Sequence, residues 1–156
     1  MKTMLHNMRA AAAVSLCTLA LLSCRADKNE ELAETAAQNF AQLFFGCRYS
    51  EAAQLCTPES QRWIKFVATN VTDSDLVVLN AATEEPSYDI DDLSLDNDSA
   101  ATCTVTAHHY LLMHDIGTGG HMADEGRYTL RLTRHNGKWL VALDGVPRPD
   151  KGATRH

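Results

Sequence analysis

Between residues 29 and 46 the apolar positions fall three and four apart: Leu32, Ala36, Phe40, Leu43, Phe44 and Cys47. That is the repeat of a helix with one buried stripe. Glu30, Glu31 and Glu34 sit in its first turns, where the helix dipole favours acids, and Gly46 is placed to end it. Ser50 reads as the N-cap of a short helix over 51–56, with Ala52, Ala53, Leu55 and Cys56 as packing positions. Thr57-Pro58-Glu59 opens a third helix, with Thr57 as cap and Pro58 in the first position, where its missing N–H is not needed. Trp63, Ile64, Phe66 and Val67 are expected to face inward from it.

After Asn80 the period becomes two. Pro86 to Leu95 predicts a strand whose phase slips: Tyr88 and Ile90 share one parity, Leu93 and Leu95 the other, and a bulge near Asp91-Asp92 reconciles them. Asp96-Asn97-Asp98-Ser99 is turn chemistry. Residues 100–113 predict the longest strand. Its Cys103, Val105, Ala107, His109 and Leu111 are expected on one face, and Thr102, Thr104, Thr106, His108 and Tyr110 on the other. Gly117-Thr118-Gly119-Gly120 reads as a flexible loop. Strands over 126–135 and 138–146 flank Asn136-Gly137, a strong signal for a two-residue hairpin turn. That turn pairs His135 with Lys138, Arg134 with Trp139, Leu132 with Val141 and Leu130 with Leu143. The large apolar residues then share one face with Arg134, so the register is self-consistent.

Helices followed by a meander of about four antiparallel strands predict an α+β fold, with the N-terminal helices packed on a curved sheet. The 156 residues, 45% hydrophobic and 22% charged, suit a single such domain. It is expected over residues 32–146, with a loose polar tail over 147–156.

The chain ahead of the domain is of another kind. Residues 1–23 contain Lys2 and Arg9 and no acid, and Ala10 to Leu22 is almost wholly apolar. A basic stretch before an apolar run of this length predicts an export signal, too short for a permanent membrane span. The run ends Leu21-Leu22-Ser23-Cys24, which resembles the lipobox of bacterial lipoproteins. The resemblance implies cleavage between Ser23 and Cys24 and a diacylglyceryl thioether on Cys24, because a thiolate readily takes that group. Residues 24–31 are then a lipidated tether. Position 25 is Arg, so the aspartate associated with inner-membrane retention is absent. The expectation is a cell-envelope protein, on the outer rather than the inner membrane, with its face undetermined.

Cleavage would remove two cations and no acid, moving the net charge from −6 to about −8. Such a domain is a poor partner for nucleic acid or for anionic lipid through charge. The partners expected are the membrane, through the lipid, and a protein or small molecule. No cofactor is expected beyond the covalent lipid.

Cys47, Cys56 and Cys103 remain after Cys17 leaves with the signal and Cys24 is lipidated. One disulfide with a thiol left over, or three buried thiols, both fit. The odd number and the lack of any C-x-x-C favour burial as thiols.

Several pieces resemble small lipoproteins of the NTF2-like (cystatin-like, cone-shaped) superfamily. They are the first helix with Phe40 through Phe44, Tyr49-Ser50-Glu51-Ala52-Ala53, Cys56-Thr57-Pro58-Glu59-Ser60, and the closing Gly137-Lys138-Trp139-Leu140-Val141. The resemblance spans about residues 30–146. Its motifs concern packing and turns, so it implies a fold and not an activity. Enzymes of that superfamily place an acid and a hydrogen-bonding Tyr or Asp in the cone, and no such pair matches here residue by residue.

Two other clusters carry ligating side chains. His108, His109, His114, Asp115 and His121 invite a transition metal. His108 and His109 are adjacent on a strand and point to opposite faces, so no metal site is assigned. Glu84, Glu85, Asp89, Asp91, Asp92, Asp96 and Asp98 invite calcium, but their spacing fits no EF-hand loop and suits a solvated edge strand. Trp63, Tyr88, His109 and Tyr128 are the candidates to line a pocket between helices and sheet. No catalytic residue is assigned. A non-catalytic binding domain is the expectation, and an acid–base enzyme using His109, Tyr110 or Asp144 is the alternative.

Overall fold

The computed structural model describes residues 27–113, 119–152 and 154–155. The lipobox, His114, Asp115 and Gly117-Thr118 lie outside them. Helix α1 occupies residues 27–45, so residues 27–31 belong to the helix and not to a tether. Helices α2 (Tyr49–Gln54), α3 (Gln61–Asn70) and α4 (Asp73–Asn80) follow. The sheet comprises β1 (Ser87–Asn97), β2 (Ala100–Leu112), β3 (His121–His135), β4 (Lys138–Ala142) and β5 (Thr154–Arg155). Helices then an antiparallel sheet in the order β1-β2-β3-β4 make an α+β fold. Among the described residues no helix is long and apolar enough to cross a membrane.

The buried stripe of α1 is rotated from the expected one. Ala33, Ala37, Phe40, Ala41, Phe44 and Phe45 are buried, whereas Leu32 is 44% exposed. Small residues at 33, 37 and 41 let the helix approach the sheet closely, a choice that a count of large apolar residues misses. The helix stops at Phe45, just before Gly46, and Cys47 is the residue that closes its ending. Cys47 is left-handed (φ 58°), and the Arg48 and Cys47 N–H groups donate to Leu43 O (2.8 Å) and Phe44 O (3.1 Å). This is a Schellman ending with cysteine in the position glycine usually takes. Gly46 is needed for space: a Cβ there would lie 2.7 Å from Gln42 O.

Helix α2 starts at Tyr49 after Arg48, so Ser50 is inside it and not its cap. Helix α3 starts at Gln61, after a turn in which Thr57 O accepts from the N–H groups of Ser60 and Gln61. Ile64 and Val67 face inward; Phe66 is 40% exposed and Trp63 is half-buried beneath Arg62, which lies 4.6 Å over its ring. Helix α4 had no counterpart in the apolar pattern. Its buried residue is Asp75, while Leu76 and Val77 are exposed.

The β3–β4 hairpin has the expected register from His135↔Lys138 to Leu132↔Val141, with Asn136 at φ 51° and Gly137 at φ 81°, but the ladder ends at Arg131↔Ala142 and the expected Leu130–Leu143 pair does not form. Strand β4 stops at Ala142 because Leu143 turns to Ser60: the Ser60 hydroxyl accepts from Leu143 N–H (2.8 Å) and donates to Leu143 O (3.2 Å). The outer edge of β4 is closed by residues 55–57, through Thr57 N–H to Val141 O and Val141 N–H to Leu55 O. Strand β1 slips register between Ile90 and Asp92, as its phase change requires, and β3 rather than β2 is the longest strand.

The C-terminal segment is part of the fold and not a loose tail. Asp150 N–H donates to Arg127 O (2.7 Å), Thr129 Oγ1 donates to Asp150 (3.1 Å), and β5 pairs with β3 at Glu125 and Gly126. Its anchors are mostly backbone groups and exposed polar side chains, which leave no apolar signature.

Candidate functional site

The alternation of β2 and β3 reverses at one level. On β2, burial runs through Cys103, Val105 and Ala107, then resumes at Tyr110 instead of His109. On β3 it runs through Leu132, Leu130, Tyr128 and Gly126, then resumes at Ala123 instead of Asp124. His109 and Asp124 face each other in the unbroken register between the His108↔Glu125 and Tyr110↔Ala123 pairs, but do not themselves pair. His109 takes a left-handed conformation (φ 50°) and turns out to Glu84, 2.7 Å away. Both strands thus spend one residue on changing face. The consequence is that Tyr110, expected outward with the threonines, is 1% exposed in the interior, and His109, expected inward, is at the surface.

Tyr110 joins an aromatic cluster at the C-terminal end of α1. The Phe45 ring is 5.4 Å from Tyr110 and 5.0 Å from Tyr128, and Tyr110 is 5.8 Å from Tyr128, all edge-on. Phe44 packs against Phe45 and Tyr49 in the same way. Beside this cluster is a cavity of about 320 Å³. Its walls are Phe44, Phe45 and Tyr49, Phe66, Val67 and Asn70 of α3, residues 110–113, Tyr128, and Val146-Pro147-Arg148. The same Val146-Pro147-Arg148 segment separates it from a second hollow of about 400 Å³ along residues 128–131 and 142–145.

The chemistry of the first cavity is aromatic and phenolic. Among the described residues its lining includes no carboxylate and no imidazole, and Arg148 is its charged member. Burial holds the Tyr49 and Tyr128 phenols well above the ordinary tyrosine range and raises that of Tyr110. These groups are neutral hydrogen-bonding sites at physiological pH. The Tyr110 hydroxyl is buried and makes no well-formed hydrogen bond among the described residues, although the Tyr128 phenol is its polar neighbour. Tyr49 donates to Cys47 Sγ at 3.6 Å.

Of the residues singled out from sequence, Tyr128 lines the cavity. Trp63 lies on α3 outside its lining, Tyr88 is half-buried on edge strand β1, and His109 points away to Glu84. His109, Tyr110 and Asp144 do not converge: Asp144 is exposed and pairs with Arg131. Phe45, Tyr49 and Val67 also line the cavity; in the sequence Val67 read as an inward-facing packing residue, Tyr49 entered only through the family resemblance, and Phe45 was not singled out. Among the described residues no three His, Cys, Asp or Glu side chains are grouped to hold a metal ion. The acids of β1 are spread along its outward face, where Asp91 meets Thr106 and Arg127, and Asp89 meets His108 at 3.2 Å. The three downstream cysteines are free thiols. The chain matches no known family model and no curated protein sequence.

Proposed function

We propose that this chain is a lipid-anchored cell-envelope protein whose domain is a non-catalytic binding module, and that the cavity beside Phe45 and Tyr128 receives a small, largely apolar ligand. The observation that carries the binding role is the lining: aromatic and aliphatic walls around about 320 Å³, with no acid or imidazole among the described lining residues. Concave apolar sites with a few polar groups are the usual form of small-ligand pockets. General acid–base catalysis needs a group that titrates near the working pH, and phenols raised by burial do not. The anchoring half is supported by the basic and apolar leader ending in Leu21-Leu22-Ser23-Cys24. The order of helices then antiparallel sheet fits the NTF2-like resemblance, and we propose membership of that superfamily on the same footing.

Two experiments test the two halves. The unlipidated chain carrying Cys24→Ala is titrated with the neutral apolar dye N-phenyl-1-naphthylamine, alongside a Val67→Trp variant whose indole would fill the cavity. Saturable binding that the indole abolishes, with both proteins folded by circular dichroism, supports the pocket. Equal binding by both overturns it. In cells, Cys24→Ala is expected to lose labelled acyl chains and to leave the membrane fraction. Retention of the label by the alanine variant refutes the anchor.

A further inference from the structure

We propose that the domain stands end-on against the bilayer, with the β3–β4 hairpin end at the lipid interface and the cavity at the far end, facing the aqueous phase. This rests on lipidation of Cys24. The distances come from the chain itself. Helix α1 is already formed at residue 27, so three residue steps separate the anchor cysteine from rigid structure. Fully extended, they span about 10 Å. The start of α1 therefore stays near the headgroups.

The start of α1 is fixed to the hairpin end of the sheet. Asn29 is buried; its side chain accepts from Trp139 Nε1 (3.2 Å) and donates to Asp98 O (3.3 Å). The cavity is bounded by Phe44 and Phe45 in the last turn of the same helix. From Asn29 to Phe44 the helix rises about 22 Å. On β3, Arg134 lies about 20 Å from Tyr128 by strand rise. Helix and strand agree that cavity and anchor are at opposite ends of one rigid layer.

The surface presented to the bilayer fits its interface. Leu32 is 44% exposed there and lines a shallow groove with Lys28, Asn29, Asp98 and Arg134. Lys28, Arg134 and Lys138 make no ion pair among the described residues, and such side chains reach headgroup phosphates while their stems cover apolar surface. Asp27, Glu30, Glu31 and Asp98 offset these cations, so the short tether rather than net charge sets the orientation. The arrangement is accordingly expected to persist in neutral lipid and at high salt.

The test uses the full lipidated protein in phosphatidylcholine vesicles, with Cys47→Ser to remove the half-buried thiol. A fluorophore is placed on a cysteine introduced at Lys138 or at Val77, which is 67% exposed on α4. Quenching by a headgroup-labelled lipid is expected to be several-fold stronger at 138 than at 77. Equal or reversed quenching in protein that mass analysis shows to be acylated overturns the orientation and leaves the anchor standing. Absence of the diacylglyceryl mass overturns the anchor, and the orientation with it.

Discussion

The Tyr110 phenol occupies the space that a side chain at Gly126 would need. A Cβ built on Gly126 would overlap the Tyr110 hydroxyl oxygen and come within 2.9 Å of the carbon that bears it. Glycine leaves a notch in the face of β3, and the ring of the neighbouring strand lies over it. The notch lets Tyr110 enter the interior beside Tyr128 after the change of face at His109.

Gly126→Ala should therefore overpack the cluster. We expect a loss of about 1–3 kcal/mol by denaturant unfolding. Tyr110→Phe removes the closest atom and a buried hydroxyl that has no well-formed hydrogen bond among the described residues, so alone it should cost little. In that background Gly126→Ala should do less harm, with coupling of about 0.5–3 kcal/mol. Strictly additive losses would show that the two residues do not compete for space.

Asp75 ties α4 to the start of β3. Its carboxylate accepts from the Thr72 N–H (2.7 Å), the Thr72 hydroxyl (2.8 Å) and the Gly120 N–H (2.6 Å), and it is 1% exposed. These donors favour the charged form and hold the carboxyl below its ordinary value of 3.8, the Thr72 N–H contributing most. A depressed folded value means that the stabilisation is complete above the unfolded value and is lost as pH falls through the folded one. Asp75→Asn should cost about 1–3 kcal/mol at neutral pH, because it leaves donors of a buried network poorly met. The gap between variant and parent should then narrow as the medium is acidified below 3.8. Parallel urea midpoints at all pH values would contradict the assignment.

The elements that sequence revealed best are those fixed by local chemistry. Asn136-Gly137 sets the turn, and the turn sets the register from His135↔Lys138 to Leu132↔Val141. The slip at Asp91 is visible because Ile90 and Leu93 differ in parity. Helix α4 was not legible, because it is short and anchored by an acid instead of an apolar stripe. A pocket between helices and sheet was expected, but of its expected lining residues only Tyr128 is in the observed lining. The observed lining depends on His109 adopting positive φ opposite Asp124, a paired distortion that no alternation pattern along one strand encodes. Tyr128 could be placed, because no change of face lies between it and the hairpin. Tyr110 could not, because one does.

The hairpin turn gives a test of backbone strain without packing. Gly137 has φ 81°, and a Cβ at this position would have no neighbouring atom within 4 Å, so a side chain there meets no steric obstacle beyond its own backbone. Gly137→Val forces a β-branched residue into the left-handed region and should cost about 1–3 kcal/mol. Gly137→Asn should cost less, since asparagine tolerates that region. The melting midpoints should rank glycine, asparagine, valine. If valine matches glycine, the turn does not hold this conformation in solution.

The thiols give the last test. Cys56 and Cys103 are each 1% exposed, on different elements, and burial pushes both thiols up to about 12. The thiolate is the reactive form, so both are doubly protected, by access and by protonation. Cys47 differs from what the helical repeat implied. It has left the stripe of α1 at the Schellman turn, is half-buried, and has its thiol raised by burial against the opposing hydrogen bond from Tyr49. In the chain carrying Cys17→Ala and Cys24→Ala, a thiol reagent should modify Cys47 first. Cys56 and Cys103 should react on the timescale of global opening, and all three rapidly in denaturant. Mass analysis without reductant should give the fully reduced mass. A deficit of two hydrogens would reveal a disulfide, and modification of Cys56 or Cys103 as fast as Cys47 would show that the core around β2 and β4 is not closed as described.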